Sequence, residues 1–436
     1  MARRFVVLLL VSLLTGIALA DSPQTGTIDG VVIDASGTAL PGVNVTLASD
    51  RGDKSTVTDE SGKFIFGLLP PGQYTLKASL EGFQPTEQPV SLETGQRQTL
   101  DLRLGLGTSE EIAVVAEAPL VDKYQVSAST TLEAGVAKEL VFTNRNYQSL
   151  ITSLPGVVHS DQSTQLAEIM PSVNGNLWQE NAAFVDGVDV TDSRFGGGSR
   201  IFFSASALAE VRSDASGYGA EYGRVVGGVT EAVVKSGTND FHGDFLLVAQ
   251  NPAWRAQSEV IAVDRENHLI SSFETSLGGP LRRDRVWFFA ATGETTNNLL
   301  SPLAGGEVID SSLESESLIA KLSADVSRRH TVNLSAIDGS GEGPLFMPFT
   351  AEPYAVTDAR RGTRFFVAGW TWVVAEARFV AARASRQRSH ADRTSFAVTT
   401  LDPGASPDDP AGNRGTYWDN ASGLHWHASN APLGPG

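Results

Sequence analysis

The sequence predicts a mainly β protein in three successive parts: a β-sandwich of antiparallel type, a segment mixing helix with strands, and a series of longer strands. Three observations carry that prediction. Short alternating runs of apolar and polar residues recur between residues 26 and 104, bounded by glycine and proline turns. Between residues 124 and 238, a stretch with apolar residues at helical intervals precedes several strand-like ones. Beyond residue 239, alternation of period two returns, the pattern of strands with two unlike faces. At 436 residues the chain has the length of two or three domains.

Residues 1–20 read as a leader. Met1-Ala2-Arg3-Arg4 is basic, residues 5–14 are almost wholly apolar, and Ala18-Leu19-Ala20 has the small-x-small form of a signal cleavage site. A membrane-spanning helix needs about 20 apolar residues, and this run is shorter. Cleavage is expected between Ala20 and Asp21. No cysteine follows that site, which argues against a lipid anchor, and none occurs anywhere in the chain. Disulfides and thiolate metal sites are therefore excluded. The formal charge of −17, or −19 without Arg3 and Arg4, comes with no basic tract, so nucleic acid is not an expected partner. No run after residue 20 could cross a bilayer as a helix, so any spanning part must be a β-barrel, whose backbone groups are also satisfied internally.

The sandwich strands are read at Thr27-Ile28-Asp29-Gly30-Val31-Val32, Val43-Asn44-Val45-Thr46-Leu47, Lys63-Phe64-Ile65-Phe66, Tyr74-Thr75-Leu76-Lys77-Ala78 and Gln98-Thr99-Leu100-Asp101-Leu102. Ser36-Gly37, Pro41-Gly42, Ser61-Gly62 and Pro70-Pro71-Gly72 supply turns between them. A linker follows at 105–123, where Gly105-Leu106-Gly107 breaks the pattern and an acidic, β-branched strip, residues 110–118, ends at Pro119. Such a strip is suited to adding a strand to a partner's sheet edge, and equally to serving as a plain interdomain connection.

In the segment 124–238, residues 137–150 carry the helical pattern, which Leu154-Pro155-Gly156-Val157 ends. Asn174-Gly175 and Asp186-Gly187 mark turns, and Ser193 to Ser199 reads as a flexible connector or an apical loop. Asp186, Asp189 and Asp192 lack the spacing and terminal Glu of a calcium loop, so turn and cap roles are expected of them. Gly227-Gly228 stands before Lys235-Ser236, but Val234 occupies the place where a phosphate loop needs glycine. None of the seven histidines has the His-x-x-Glu spacing of a zinc peptidase, and His425-Trp426-His427 lies in a Gly/Pro/Asn-rich tail. No catalytic, cofactor-binding or metal-binding residues are predicted, and no enzyme activity.

From 239 to 436, strands are expected at 241–250, 269–278, 285–294, 315–324, 331–337, 363–373 and 377–386. Trp287, Phe289, Phe365 and Trp370 would suit aromatic girdles at a membrane interface, with polar alternates facing a lumen.

Asp59, Gly62, Phe64, Phe66, Leu69, Pro71, Gly72, Tyr74, Leu76, Gly82 and Phe83 resemble the carboxypeptidase regulatory-like domain, which implies a prealbumin-like sandwich at 26–104. Further along, Asn144 to Val157, Phe184-Val185-Asp186-Gly187-Val188, Ala220-Glu221-Tyr222-Gly223, and Lys235-Ser236-Gly237-Thr238-Asn239-Asp240-Phe241-His242-Gly243 come in an order that resembles TonB-dependent outer-membrane receptors of the Oar-like group. Gly278-Gly279-Pro280-Leu281 through Phe289 is similar to the second hairpin of their barrels. The resemblance implies an α+β plug at 124–238 and the first strands of an incomplete transmembrane β-barrel at 239–436. It also implies a contact with TonB through Glu111, Ile112, Ala113, Val114 and Val115, surroundings of outer-membrane lipid, a periplasmic N-terminal domain, and energised uptake of an unknown small ligand, glycan or peptide. The expectation of about seven strands falls short of the 22 or so of such transporters, and the chain lacks a terminal aromatic strand, so it reads as a truncated receptor. A non-transporting extracellular or periplasmic binding or adhesion protein is the alternative.

Overall fold

In the computed structural model, which describes residues 25–107, 113–114, 128–133, 135, 146–159, 171–192, 196–197, 199, 201, 203–219, 222–223, 225–254, 269–302, 308–327, 329–345, 357–375, 378–395, 416–419 and 424–427, nearly all regular structure is β. The first unit comprises β1 (Gly26–Asp34), β2 (Asn44–Ala48), β3 (Lys54–Val57), β4 (Lys63–Leu69), β5 (Gly72–Ser79), β6 (Thr86–Leu92) and β7 (Arg97–Leu104), with β8 (Ala113–Val114) from the linker. They form two sheets, β4-β1-β7 and β3-β2-β5-β6-β8. Alternate residues of each sheet point between the layers, where Ile28, Val32, Leu100 and Leu102 meet Val45, Leu47, Leu76 and Val90. One expectation needs correcting: β1 and β7 run parallel, as do β6 and β8. Side-chain alternation is the same in either direction, so it does not encode strand polarity.

The turns follow from their residues. Asp34 accepts hydrogen bonds from the amides of Ser36 (2.8 Å) and Thr38 (2.9 Å), and Gly37 takes a left-handed φ of 88°. Asp59 repeats the device with Ser61 and Lys63, and Gly62 has φ 72°. Both carboxyls are held below the usual range, Asp34 chiefly by its bond from the Ser36 side chain and Asp59 by its bond from the Lys63 amide. Tyr74 packs its ring in the core and donates from Oη to the Pro70 carbonyl at 2.6 Å. Replacing Tyr74 with Phe is expected to lower stability by about 1 kcal/mol, the net value of one such bond, as a thermal melt would show.

The central unit holds β9 (Ala128–Glu133), a helix α1 (Tyr147–Ile151), β10 (Val157–His159), β11 (Pro171–Val173), β12 (Ala182–Val185), β13 (Val188–Asp189), β14 (Leu208–Ser216) and β15 (Val229–Val234). Its main sheet has the order β13-β12-β15-β14-β9, with β10 and β11 as a separate ribbon. All six residues of β15 are buried, as befits a strand covered on both faces. Tyr147 of α1 stacks on Phe203 with ring centroids 4.2 Å apart. Most of the helical pattern expected at 137–150 lies outside the described residues, as do residues 193–195 and 198 of the connector.

The third unit is an antiparallel sheet of seven consecutive strands: β16 (His242–Gln250), β17 (Ile270–Arg282), β18 (Val286–Pro302), β19 (Val308–Ser327), β20 (His330–Leu345), β21 (Thr357–Ala375) and β22 (Arg378–Ser395). The described sheet is open, with β16 and β22 as its outer strands. Several strands are much longer than the alternation indicates; β19 has 20 residues. Their added lengths include stretches such as Asp338-Gly339-Ser340-Gly341-Glu342, in which consecutive residues are polar or glycine, and the contrast that alternation relies on is absent there. A ribbon of β23 (Thr416–Asp419) and β24 (Leu424–His427) occupies part of what reads as an irregular tail.

The two faces of this sheet differ in kind. Phe289, Ala291, Ile319, Ile337, Phe365 and Val367 are buried in one core with the central unit. Phe245, Leu247, Leu277, Leu318, Phe366, Trp370 and Trp372 lie on the opposite face and are exposed. Three of the four proposed girdle aromatics are therefore reassigned: Trp287, Phe289 and Phe365 are buried, and Trp370 alone stays exposed. The register that pairs Phe289 with Lys321 and Ile337 with Phe365 decides this, because odd positions of β18 to β21 all face the central unit.

Candidate functional site

Several polar side chains, part-buried or buried, gather where the units meet. The β12–β13 turn, Val185-Asp186-Gly187-Val188, has left-handed φ at Asp186 (48°) and Gly187 (70°), as a two-residue hairpin turn requires. The turn aims the Asp186 carboxylate at the sheet. One oxygen accepts from the Val234 amide at 3.1 Å and from Lys321 Nζ at 3.0 Å, and the other accepts from Ser335 Oγ at 2.6 Å. Lys321 also donates to the Val234 carbonyl at 2.9 Å. Lys321 and Ser335 are register partners on neighbouring strands, so β19 and β20 present them together. The ion pair is buried, with side chains 8% and 3% exposed, and forms a latch between the central unit and the long sheet.

A second contact lies beside it. Lys235 donates to the Ser206 carbonyl at 2.8 Å and reaches Asp244 at 3.4 Å, joining β15 to β16. Asn239 then ties the connecting segment to both other units. Its amide donates to the Asp50 carbonyl of the sandwich at 2.8 Å. Its side-chain oxygen accepts from the Asp284 amide and from Trp287 Nε1, each at 2.8 Å, and its Nδ2 donates to Asp284 at 2.7 Å. The Arg51 guanidinium lies 5.5 Å from the Trp287 ring centroid, a cation–π contact across the same joint. Gly237 allows the close approach: a Cβ there would stand 2.2 Å from the Phe288 carbonyl oxygen.

The sandwich meets the central sheet through Thr94. Its amide donates to Glu210 at 3.0 Å, and its carbonyl accepts from Arg212 at 2.6 Å. Thr131 of β9 donates to Glu93 at 2.8 Å. Glu210 is 4% exposed, and burial pushes its carboxyl above the ordinary 4.5 against the opposing pull of the Thr94 bonds. The folded state thus binds a proton more tightly than the unfolded one, so this group's contribution favours folding at low pH and is lost as pH rises through the raised pKa. Glu210→Gln, which still accepts from Thr94, is expected to be more stable than the parent at neutral pH. The difference should shrink toward pH 4 in paired thermal melts.

The sequence-predicted positions are distributed unevenly. Ala113 and Val114 form β8, paired in parallel with Thr86 and Glu87 of β6. Glu111, Ile112 and Val115 lie outside the described residues, as do Ala20 and Asp21. Asp189 accepts from the Thr191 amide at 2.9 Å, a turn role, whereas Asp186 does more than the turn role expected of it. Gly227-Gly228 packs as a strand entry: Asn181 accepts from the Gly228 amide at 2.8 Å and donates to the Pro171 carbonyl at 2.6 Å. Sequence reasoning did not find Lys321, Ser335 or the three-way role of Asn239. A lysine on the inner side of a strand among Ile319 and Ser323 was the available signal for the first.

Residues 27–105 match the carboxypeptidase regulatory-like domain. The TonB-dependent transporter Oar of Myxococcus xanthus is 30% identical over 294 residues, which are 61% of this chain and 26% of that protein. The chain thus spans about a quarter of the length of that relative. Among solved structures, the outer membrane transporter YddB from Escherichia coli aligns with TM-score 0.46 and 14% identity, over 59% of this chain and 38% of that one. The siderophore receptor PirA from Pseudomonas aeruginosa aligns with TM-score 0.45 and 16% identity, over 62% and 42%. The chain is thus similar over 294 residues to the TonB-dependent transporter Oar, and residues 27–105 are similar to the carboxypeptidase regulatory-like domain.

Proposed function

We propose that this chain forms the periplasmic sandwich, the plug and the first barrel strands of a TonB-dependent outer-membrane receptor, which takes up a ligand when the plug is displaced. The observation that carries the reading is the two-faced sheet. One face shares a core with the central unit, and the other exposes a continuous set of apolar side chains. A soluble protein rarely leaves such a face in water, whereas a barrel wall turns it to lipid. The short turn joining β17 to β18 lies near the sandwich, through Asp284, Asn239 and Asp50, as a periplasmic turn would. The relative's name, a TonB-dependent transporter, supports TonB as the energy source, and on this reading the pull acts on the linker, residues 105–123.

In this account no bond is made or broken covalently. Tension on the linker is transmitted to β9, the outer strand of the plug sheet, and through β14 to the Asp186–Lys321 latch. The contact with TonB is tested by capture of the chain on the immobilised periplasmic part of TonB. Deleting residues 111–115 is expected to abolish capture. Unchanged capture would remove Glu111, Ile112, Ala113, Val114 and Val115 from the contact.

A further inference from the structure

The linker strand already has a partner within the chain. β6 is hydrogen-bonded to β5 along its whole length on one side. On the other side, among the described residues, its strand partner is β8, through the pairs Thr86 with Ala113 and Glu87 with Val114. The chain approaches that edge in steps. After β7, the Gly105 carbonyl accepts from the Gln84 amide at 2.8 Å, and Leu106 bridges Phe83. The linker is therefore laid along the start of β6 before its strand pairs.

We propose that the open edge of β6 is a docking edge for the linker strand, and that Ala113 and Val114 exchange between this edge and the sheet edge of the energy-transducing partner. The inference rests on the linker reading given under Proposed function and adds a regulator to it: the sandwich controls how much of the linker is free. Two features make exchange feasible. Among the described residues, the internal pairing consists of Thr86 with Ala113 and Glu87 with Val114 in parallel register, the weaker geometry per residue. A partner strand pairing with Glu111 to Val115 would form a ladder whose main-chain bonds carry the affinity of such contacts. Occupancy of β6 then lowers the apparent affinity by the fraction of chains whose linker is released.

The chain has no cysteine, so a single engineered pair reports on this contact without background. Glu87→Cys with Val114→Cys places two thiols on register partners of adjacent strands, whose spacing of about 4.8 Å lies within the range a disulfide spans. The expected result has two parts. The disulfide forms in the folded protein on mild oxidation, and the oxidised protein is captured by the periplasmic fragment of TonB at least about ten-fold less than the same sample after reduction. Failure of the disulfide to form in a protein that melts like the parent would overturn the internal pairing. Equal capture of oxidised and reduced protein would overturn the exchange and leave the linker–TonB contact standing. Absence of capture for both the reduced variant and the parent would remove that contact, and the exchange with it.

Discussion

Gly30→Val is expected to unfold the sandwich. Gly30 sits in β1, the middle strand of its sheet, opposite Phe64 of β4 and Leu100 of β7. A Cβ at this position would stand 1.7 Å from the Leu100 carbonyl oxygen and 2.9 Å from the Phe64 ring. The nearest atom is backbone, so relief requires β1 and β7 to part, with loss of their shared ladder. Overpacking that side chains can absorb costs about 1–3 kcal/mol; here the cost is expected to exceed about 4 kcal/mol, the class of change that is rare and diagnostic. Gly37→Ala is the graded control. Nothing lies within 4 Å of a Cβ there, but φ is 88°, so a loss of about 1 kcal/mol is expected from backbone strain alone. Thermal unfolding and limited proteolysis of residues 27–105 distinguish the two. A Gly30→Val protein that melted like the parent would show that β1 does not pack as described.

The second large effect concerns the latch. Lys321→Met leaves the Asp186 carboxylate buried with the Val234 amide and Ser335 as its remaining donors. Asp186→Asn keeps an oxygen that can accept from Lys321 but removes the negative charge that compensates its buried ammonium, which otherwise meets only the neutral Val234 carbonyl. Removing one partner of a buried pair costs about 3–5 kcal/mol, because the other charge loses its compensation. Asparagine tolerates the left-handed φ of position 186, so backbone strain does not enter the comparison. The double variant should lose much less than the sum, with a coupling of about 2 kcal/mol or more in a denaturant-midpoint cycle. Additivity to within about 0.5 kcal/mol would mean that the two groups do not act as a pair. On the proposed function, either single variant should also let the plug leave the sheet under a smaller pull.

Much of this fold is legible in the chain because one face of each strand is wet. In β1 and β5, alternation separates core residues such as Ile28, Val32, Tyr74 and Leu76 from solvated neighbours, and the strands were readable from it. The direction of β7 relative to β1 was not, since a period of two is blind to polarity. Trp287, Phe289 and Phe365 were misplaced for a related reason. A sheet with one face against the central unit and the other exposed as an apolar surface carries large apolar residues on both sides, and the alternation then does not say which face is which. The latch was illegible as a pair. Asp186 stood out through its Asp-Gly turn, but Lys321 is 135 positions away and comes to it through the register of β18, β19 and β20. Asn239 could be located from the motif that contains it, yet its partners Asp50 and Asp284 belong to two other units.

Spin labels on single cysteines test the central claim most directly, because the parent has no cysteine to interfere. Phe366 and Trp370 of β21 are exposed on the outer face, and Phe365 and Val367 of the same strand are buried against the central unit. In isolated outer membranes, labels at 366 and 370 should collide readily with dissolved oxygen and hardly at all with a water-soluble nickel chelate, while labels at 365 and 367 should be reached by neither. Labels at 366 and 370 that met the nickel chelate as freely as a label at the exposed Val57 of the sandwich would place this face in water, and the chain would not be the wall of a membrane barrel.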